Sequence, residues 1–433
     1  MLGTLDAADT TATKFPVETF ETFTKRIAQR VELTKFRRKN RGTPEALAAK
    51  KEIRVLNKEA RIAQAVWMGQ HLNRWVTTQA PLRERLTMFW ADHFTATGKA
   101  GIIRRAATPY VESAIRPNIK GLFEDLLLAA VLHPLMIHYL DQDRSVDPNS
   151  AKAARGGKLR GLNENLAREV LELHTPGVGA PYSQTDVTQL AELFTGRTNA
   201  PPIRLDFRKS MAEPGTENVL GKTYGSDNAH IRDVRAVLRD LARHPATARH
   251  IAKKLAVHFV VDTPDPTLVA ALEARFLETN GDLAQVTQAL LTHLAAWTPT
   301  RQNIKHPFIF MGSALRTLAV PAQAIAALNE RQTRRIFAPP LVQMGHVWEK
   351  PTGPDGLPEE DSAWIVPQGD RIASAMGNHS ALPAYGRATR SACIRSNGHR
   401  HLCAPAVTFA AGAAETRWDG IGLILASPAF QRT

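Results

Sequence analysis

The stretch from Leu162 to Gly196, LNENLAREVLELHTPGVGAPYSQTDVTQLAELFTG, constrains what this chain can fold into more than any other. Leu166, Val170, Leu171 and Leu173 recur at helical spacing and predict a buried stripe. Asn165, Glu169 and Glu172 share a second face, and Arg168 lies one turn before Glu172, within reach of an ion pair. Pro176 and Gly177 end this helix, and Gly177 and Gly179 allow a sharp reversal. Ser183 followed by Asp186 reads as a capping box that opens the next helix. Leu190, Leu193 and Phe194 give that helix its apolar stripe, and Gly196 its stop. Two helices therefore meet at a corner crowded with Asn163, Asn165, Arg168, Glu169, Glu172, His174, Tyr182, Gln184 and Asp186.

The same periodicity predicts helices over 17–31, 44–77, 80–93, 106–117, 120–130, 133–140, 161–174, 184–195, 230–242, 245–260, 266–278, 281–292, 304–317 and 321–328. The polar stretch 197–228 contains RLDFRKSMAEPGTENVLGKTYG, which predicts a short β-hairpin near 203–224. From 337 onward Pro and Gly become frequent, so an irregular region is expected before a last helix at 415–426. The fold class is mainly α: a multi-helix globular array with one short hairpin and an irregular C-terminal region. Along the chain this gives a basic helical segment over 1–78, a helical core over 79–336 and a Pro/Gly-rich region over 337–433, all within one continuous domain. VDPNSAKAARGGKLRG, over 145–160, reads as a mobile connection.

With 43% hydrophobic residues the chain suits a soluble globular protein, and no run approaches the ~18 apolar residues of a membrane span. The opening MLGTLDAADTTATKFP lacks a charged and an apolar signal region, so the default compartment is the cytoplasm. Residues 25–61 hold thirteen Lys/Arg against four Glu, and residues 371–414 hold five Arg and no acid. These two segments account for the formal net charge of +14. The first alternates its charges with Ala and Leu at helical spacing, which is the pattern of a solvated helix face. A nucleic-acid contact is the sharper alternative, but aromatics at 6% offer little surface for base stacking.

Candidate chemistry rests on polar pairs. Asp92 and His93 adjoin each other in FWADHF, and Glu169, Glu172 and His174 follow later. A carboxylate beside a histidine can orient it for general-base work. These five are the candidate catalytic residues, and Arg83, Asn163, Asn165, Arg168, Tyr182, Gln184 and Asp186 are candidates for binding. The chain has no H-E-x-x-H, G-x-S-x-G, P-loop or G-x-G-x-x-G, so motif spacing indicates no metal site and leaves any cofactor unknown. Cys393, His399, His401 and Cys403 match no zinc module. His133 and His244, each before a proline, read as helix-entry residues, and His258 reads as a packed helix residue. Trp90, Trp297, Trp348 and Trp364 read as core or groove anchors.

In order along the chain stand RERLTMFWADHF (Arg83–Phe94), NENLAREVLELHTPG (Asn163–Gly177), YSQTDV (Tyr182–Val187) and LAELFTG (Leu190–Gly196). HPATARHIAKKLAVHFV (His244–Val260), NIKHP (Asn303–Pro307), GPDGLPEEDSAWIVPQGDR (Gly353–Arg371) and LILASPAFQR (Leu423–Arg432) follow. This series resembles the bacterial family catalogued as domain of unknown function 1800. The resemblance implies a mainly helical fold and no known activity. It also implies relatives that are often exported, and a protein partner from a phosphatase-like family of unknown function numbered 1501, whose genes often lie nearby. Pro176, His346 and Leu357 stand where the family pattern has Leu, Gln and Trp.

On these grounds a binding or scaffold role with a protein partner is favoured. The rivals are a hydrolase or metal-dependent enzyme centred on Asp92, His93, Glu169, Glu172 and His174, and nucleic-acid binding through residues 25–61. Between Ile372 and Val407 the resemblance fades, acids vanish and helical periodicity is lost. A compensated pair of frameshifts and a variable surface loop both account for that text. Resequencing the locus separates them: a frameshift predicts acid-containing, family-like text in a neighbouring reading frame. An intact frame encoding the same residues in close relatives contradicts it.

Overall fold

The computed structural model describes residues 2–155, 161–200, 203–298, 301–365 and 405–433. Cys393, His399, His401, Cys403 and almost all of the 372–407 stretch lie outside these residues, as do residues 156–160 of the expected mobile connection.

Helices dominate, and most begin where a side chain can take up free backbone N–H groups. Thr43 accepts from Ala46 N and Pro44 opens the longest helix, Pro44–Thr77, with its fixed φ. That helix packs against Phe20–Lys39 across a turn in which Gly42 has φ of 91°. Ala46, Ala49, Ile53, Leu56 and Ala60 face inward, while Lys50, Lys51, Arg54, Lys58 and Arg61 are exposed. The basic stretch 25–61 is thus split over two helices, and on the second its cations form a solvated face.

Further along, the long helix serves two apolar cores. Leu56, Ala60 and Trp67 join the larger, which is built around Phe89, Trp90 and Phe94 and the helix Phe123–Val131. Met68, Leu72 and Trp75 join the smaller, with Pro307–Thr317, Glu330–Gln343, Leu425 and Phe430. Gly312 lets two helices close up, since a Cβ there would lie 2.9 Å from Trp75 Cβ.

The structure departs from the sequence expectation in several places, and the stretch 145–154 of the expected mobile connection is one: Ser145, Asp147 and Ser150 are buried and Ala151–Ala154 is helical. The single hairpin expected near 203–224 is two: Arg197–Ala200 pairs with Arg204–Phe207, and Gly215–Val219 with Lys222–Ser226. The second turns through Leu220 and Gly221, both at positive φ, as a two-residue hairpin loop requires. The irregular region expected from 337 starts later, because Glu330–Gln343 continues through Pro339 and Pro340. An Asn329–Gln332 capping box starts that helix, and burial of Phe337 and Leu341 holds its end. Finally, the helices expected over 106–117 and 161–174 pass into π-helix at Val111–Ile115 and Val170–His174. At the second, Thr175 N donates to the carbonyl of Val170 at 2.9 Å, five residues back.

Buried ion pairs lock these pieces. Arg74, fully buried, donates to both Glu112 oxygens at 2.8 and 3.0 Å and to the Phe15 carbonyl. Arg116 donates to both Glu84 oxygens at 2.9 and 2.7 Å and to Asp9. Removing one partner strands a buried charge, so Glu112→Ala is expected to lower unfolding stability by about 3–5 kcal/mol. Urea denaturation checks this; a loss of under about 1 kcal/mol, the range of exposed pairs, would contradict it.

Candidate functional site

A cavity of about 170 Å³ lies where the two cores meet. Trp75 and His71 reach it from the long helix, Thr87 and Asp92 from Pro81–His93, Tyr110 from the short helix Ala107–Tyr110, and Val111 from the first π segment. His258, His306, Phe308, His346, Trp348 and Leu357 complete the wall. A concave, mostly apolar site with a few convergent polar groups is the usual form of a ligand pocket.

Those polar groups come from four segments. His258 closes the helix Pro245–Phe259, and His306 is the N-cap of Pro307–Thr317. Glu359 sits in the loop before Asp361–Ala363. His258 Nδ1 lies 2.9 Å and His306 Nε2 lies 3.9 Å from Glu359 Oε2. The ligand atoms of these three residues all fall within 4.8 Å of one another, and no other group of three does so among the described residues. Their side chains are 5%, 11% and 19% exposed, so the trio is nearly dry. His258 Nε2 is buried without a partner.

The supports are specific. Asn303 Nδ2 donates to the carbonyls of Val257 and His258 at 2.7 and 2.9 Å, tying the NIKHP segment to the helix end. Asp361 accepts from Ile304 N at 2.6 Å, which holds the loop that carries Glu359. Burial and the neighbouring His258 depress His306 to about 3, so its imidazole is a neutral donor.

Asp92 lines the same cavity as His258 and His306. Its Oδ1 accepts from Leu357 N at 2.9 Å. Gly356, at φ of 83°, allows that contact, since a Cβ there would lie 2.6 Å from Asp92 Oδ1. Burial pushes the Asp92 carboxyl up to about 7; the Leu357 N–H opposes this, and Glu359 reinforces it.

Of the five candidate catalytic residues, only Asp92 reaches the cavity. His93, next along the helix, points into the larger core beside Phe94 and Phe123. Glu172 accepts from Arg168 at 3.0 Å. Glu169 is half-buried, its side chain forms no hydrogen bond among the described residues, and its carboxyl is pushed up to about 7 by burial and then by Glu172. His174 is buried with both ring nitrogens unpartnered.

The candidate binding residues brace backbone. Arg168 also bonds Glu164 and Gln184, and Glu164 in turn accepts from Gln184 and Thr188, closing the helix corner. Asn163 donates to the Leu140 carbonyl and accepts from Asn165 N. Asp186 completes the capping box with Ser183 and takes Leu220 N at 2.7 Å, pinning the second hairpin. Arg83 donates to the carbonyls of Thr4, Leu5 and Ala7. The Tyr182 ring packs against the larger core.

His133 and His244 cap helices, accepting from Leu135 N and Ala246 N. His258, read from sequence as packing, lines the cavity instead. The intervals between 258, 306 and 359 match no linear metal motif; the one signal was that each lies in or beside a family-like motif.

A second histidine group lies deeper. His93 Nε2 is 3.2 Å from the His174 carbonyl oxygen, and His250 Nε2 is 3.0 Å from that of Leu173. Burial depresses His174 to about 3 and His250 to about 4. Both are therefore neutral in the fold but gain a proton near pH 6.5 once unfolded. Stability is full above that pH and falls as pH drops toward the folded values, by about 1.4 kcal/mol per unit per histidine. Chemical denaturation between pH 7.5 and 5 is expected to show one histidine's share of this slope as the difference between the native chain and His174→Phe. An unchanged slope in that variant would contradict the assignment.

A family model described as "Protein of unknown function (DUF1800)" matches residues 5–432. Comparison with curated proteins and with solved structures found no match. No helix of the described residues is long and apolar enough to cross a membrane.

Proposed function

We propose, for a chain that belongs to the DUF1800 family, that the cavity is a metal-dependent hydrolytic site. In this reading His258, His306 and Glu359 hold one divalent ion and Asp92 handles the proton of the attacking water. The observation that carries it is the convergence of the three ligand atoms within 4.8 Å, with His258, His306 and Asp92 lining one cavity. Two neutral imidazoles and a carboxylate, with a further position open, suit zinc or a similar borderline ion. Such an ion lowers the pKa of bound water, and a carboxylate nearby can accept the released proton. The apolar walls favour a small, uncharged ester or amide over a phosphate.

Metal analysis of protein purified without chelators is expected to give one zinc-like ion per chain, lost in the His258→Ala, His306→Ala double variant. Asp92→Asn is expected to keep the metal and to hydrolyse small aryl esters about 10²–10⁴-fold more slowly. Failure to take up zinc, or full activity in Asp92→Asn, would overturn the reading.

A binding role beside a protein of the phosphatase-like family numbered 1501 is the second reading. The exposed Leu294 and Trp297, at 89% and 57%, favour it as a contact surface. Leu294→Ser with Trp297→Ser would then abolish copurification of that protein, and retention by the double variant would count against the surface.

A further inference from the structure

Part of the cavity wall is a cluster of rings that the metal trio does not use: His71, Phe308, His346 and Trp348. Trp348 is common to all its contacts. Its ring centroid lies 4.6 Å from that of Phe308, with the planes 29° apart, 5.7 Å from His71 and 6.5 Å from His346. Phe308 follows His306 by two residues at the start of the helix Pro307–Thr317, which links the cluster to the trio.

Two polar atoms of the cluster are unsatisfied. Trp348 Nε1 and His346 Nδ1 are buried and have no hydrogen-bond partner among the described residues. His346 is 6% exposed, and burial depresses it to about 4, so its ring is neutral. An indole N–H can only donate, and a buried one ordinarily finds an acceptor. Other polar groups of the wall are already engaged. The Tyr110 hydroxyl donates to the Phe94 carbonyl at 2.9 Å, the Thr87 hydroxyl to that of Arg83 at 2.8 Å, and Glu349 accepts from Thr108 N at 2.8 Å. The acceptor that Trp348 lacks is thus a group for a ligand to bring.

Size and charge narrow that ligand. The cavity has about 170 Å³, and an apolar cavity of about 150 Å³ takes up one benzene ring. Asp92 and Glu349 line the same space, and burial raises both carboxyls, so a second anion there is disfavoured. Lys350 also lines it but is exposed, where water screens its charge. We propose that the cluster binds an uncharged aromatic ring bearing a carbonyl, with Trp348 Nε1–H donating to the carbonyl oxygen. The inference rests on the hydrolytic reading and names its substrate class: esters or amides of a neutral aromatic acyl group. Trp348 is then the residue that selects them.

The test is NMR titration of the full chain, stripped with EDTA at pH 7.5, so that no ion competes for the carbonyl. Acetophenone supplies ring and acceptor; ethylbenzene supplies the ring alone. In the native chain one of the seven tryptophan indole N–H resonances should move downfield with acetophenone and not with ethylbenzene. That resonance should be missing from Trp348→Phe, which keeps a ring and removes the donor. The variant should bind acetophenone about three- to tenfold more weakly and ethylbenzene as before; a merely structural role would weaken both alike. Benzoate should bind the native chain at least tenfold more weakly than acetophenone. No binding of acetophenone, an indole shift common to both ligands, or equal losses in Trp348→Phe overturns the proposal. A chain that keeps this ligand preference but takes up no zinc would overturn the hydrolytic reading and leave the ring site standing.

Discussion

A carboxylate taken out of water must find a cation, a hydrogen-bond donor or a proton, and this constraint organises the molecule. Glu112 and Glu84 find Arg74 and Arg116, and those pairs seat the long helix and the first π segment on the core. Asp92 finds only one backbone N–H, at Leu357. Glu359 finds two histidines. The first group holds the fold together; the others mark places where a ligand can complete what the chain leaves open.

The histidines obey the mirror constraint. Burial keeps His174, His250, His306 and His346 neutral, which suits them either to packing or to metal ligation. Geometry divides the two roles. His93, His174 and His250 lie among aromatic rings in the larger core, whereas His258 and His306 meet a carboxylate at a cavity wall. The adjacent residues Asp92 and His93 fall on opposite sides of one helix end, so a single turn joins the buried group to the open one.

The architecture was legible because it is written in local signals. The Leu166, Val170 and Leu171 stripe, the Ser183–Asp186 cap and the span 44–77 all stand as their spacing predicts. The π turn at Val170–His174 was not, since hydrophobic periodicity cannot distinguish an extra residue in a turn from a helix end. The densest polar motif has a structural reason for its density. Arg168, Glu164, Gln184 and Asp186 are partners of one another and of nearby backbone, so their density reflects a sharp corner that needs bracing. The cavity drew on residues at 92, 258, 306 and 359, which only tertiary packing brings together.

The central claim is that imidazole and carboxylate ligands meet at the cavity wall to hold a metal. X-ray absorption at the zinc edge of the zinc-loaded protein tests it most directly. The account predicts a first shell at about 2.0–2.2 Å with the multiple scattering of two imidazoles, absent from the His258→Ala, His306→Ala protein. An all-oxygen shell without imidazole scattering, or an identical spectrum in that variant, would contradict it.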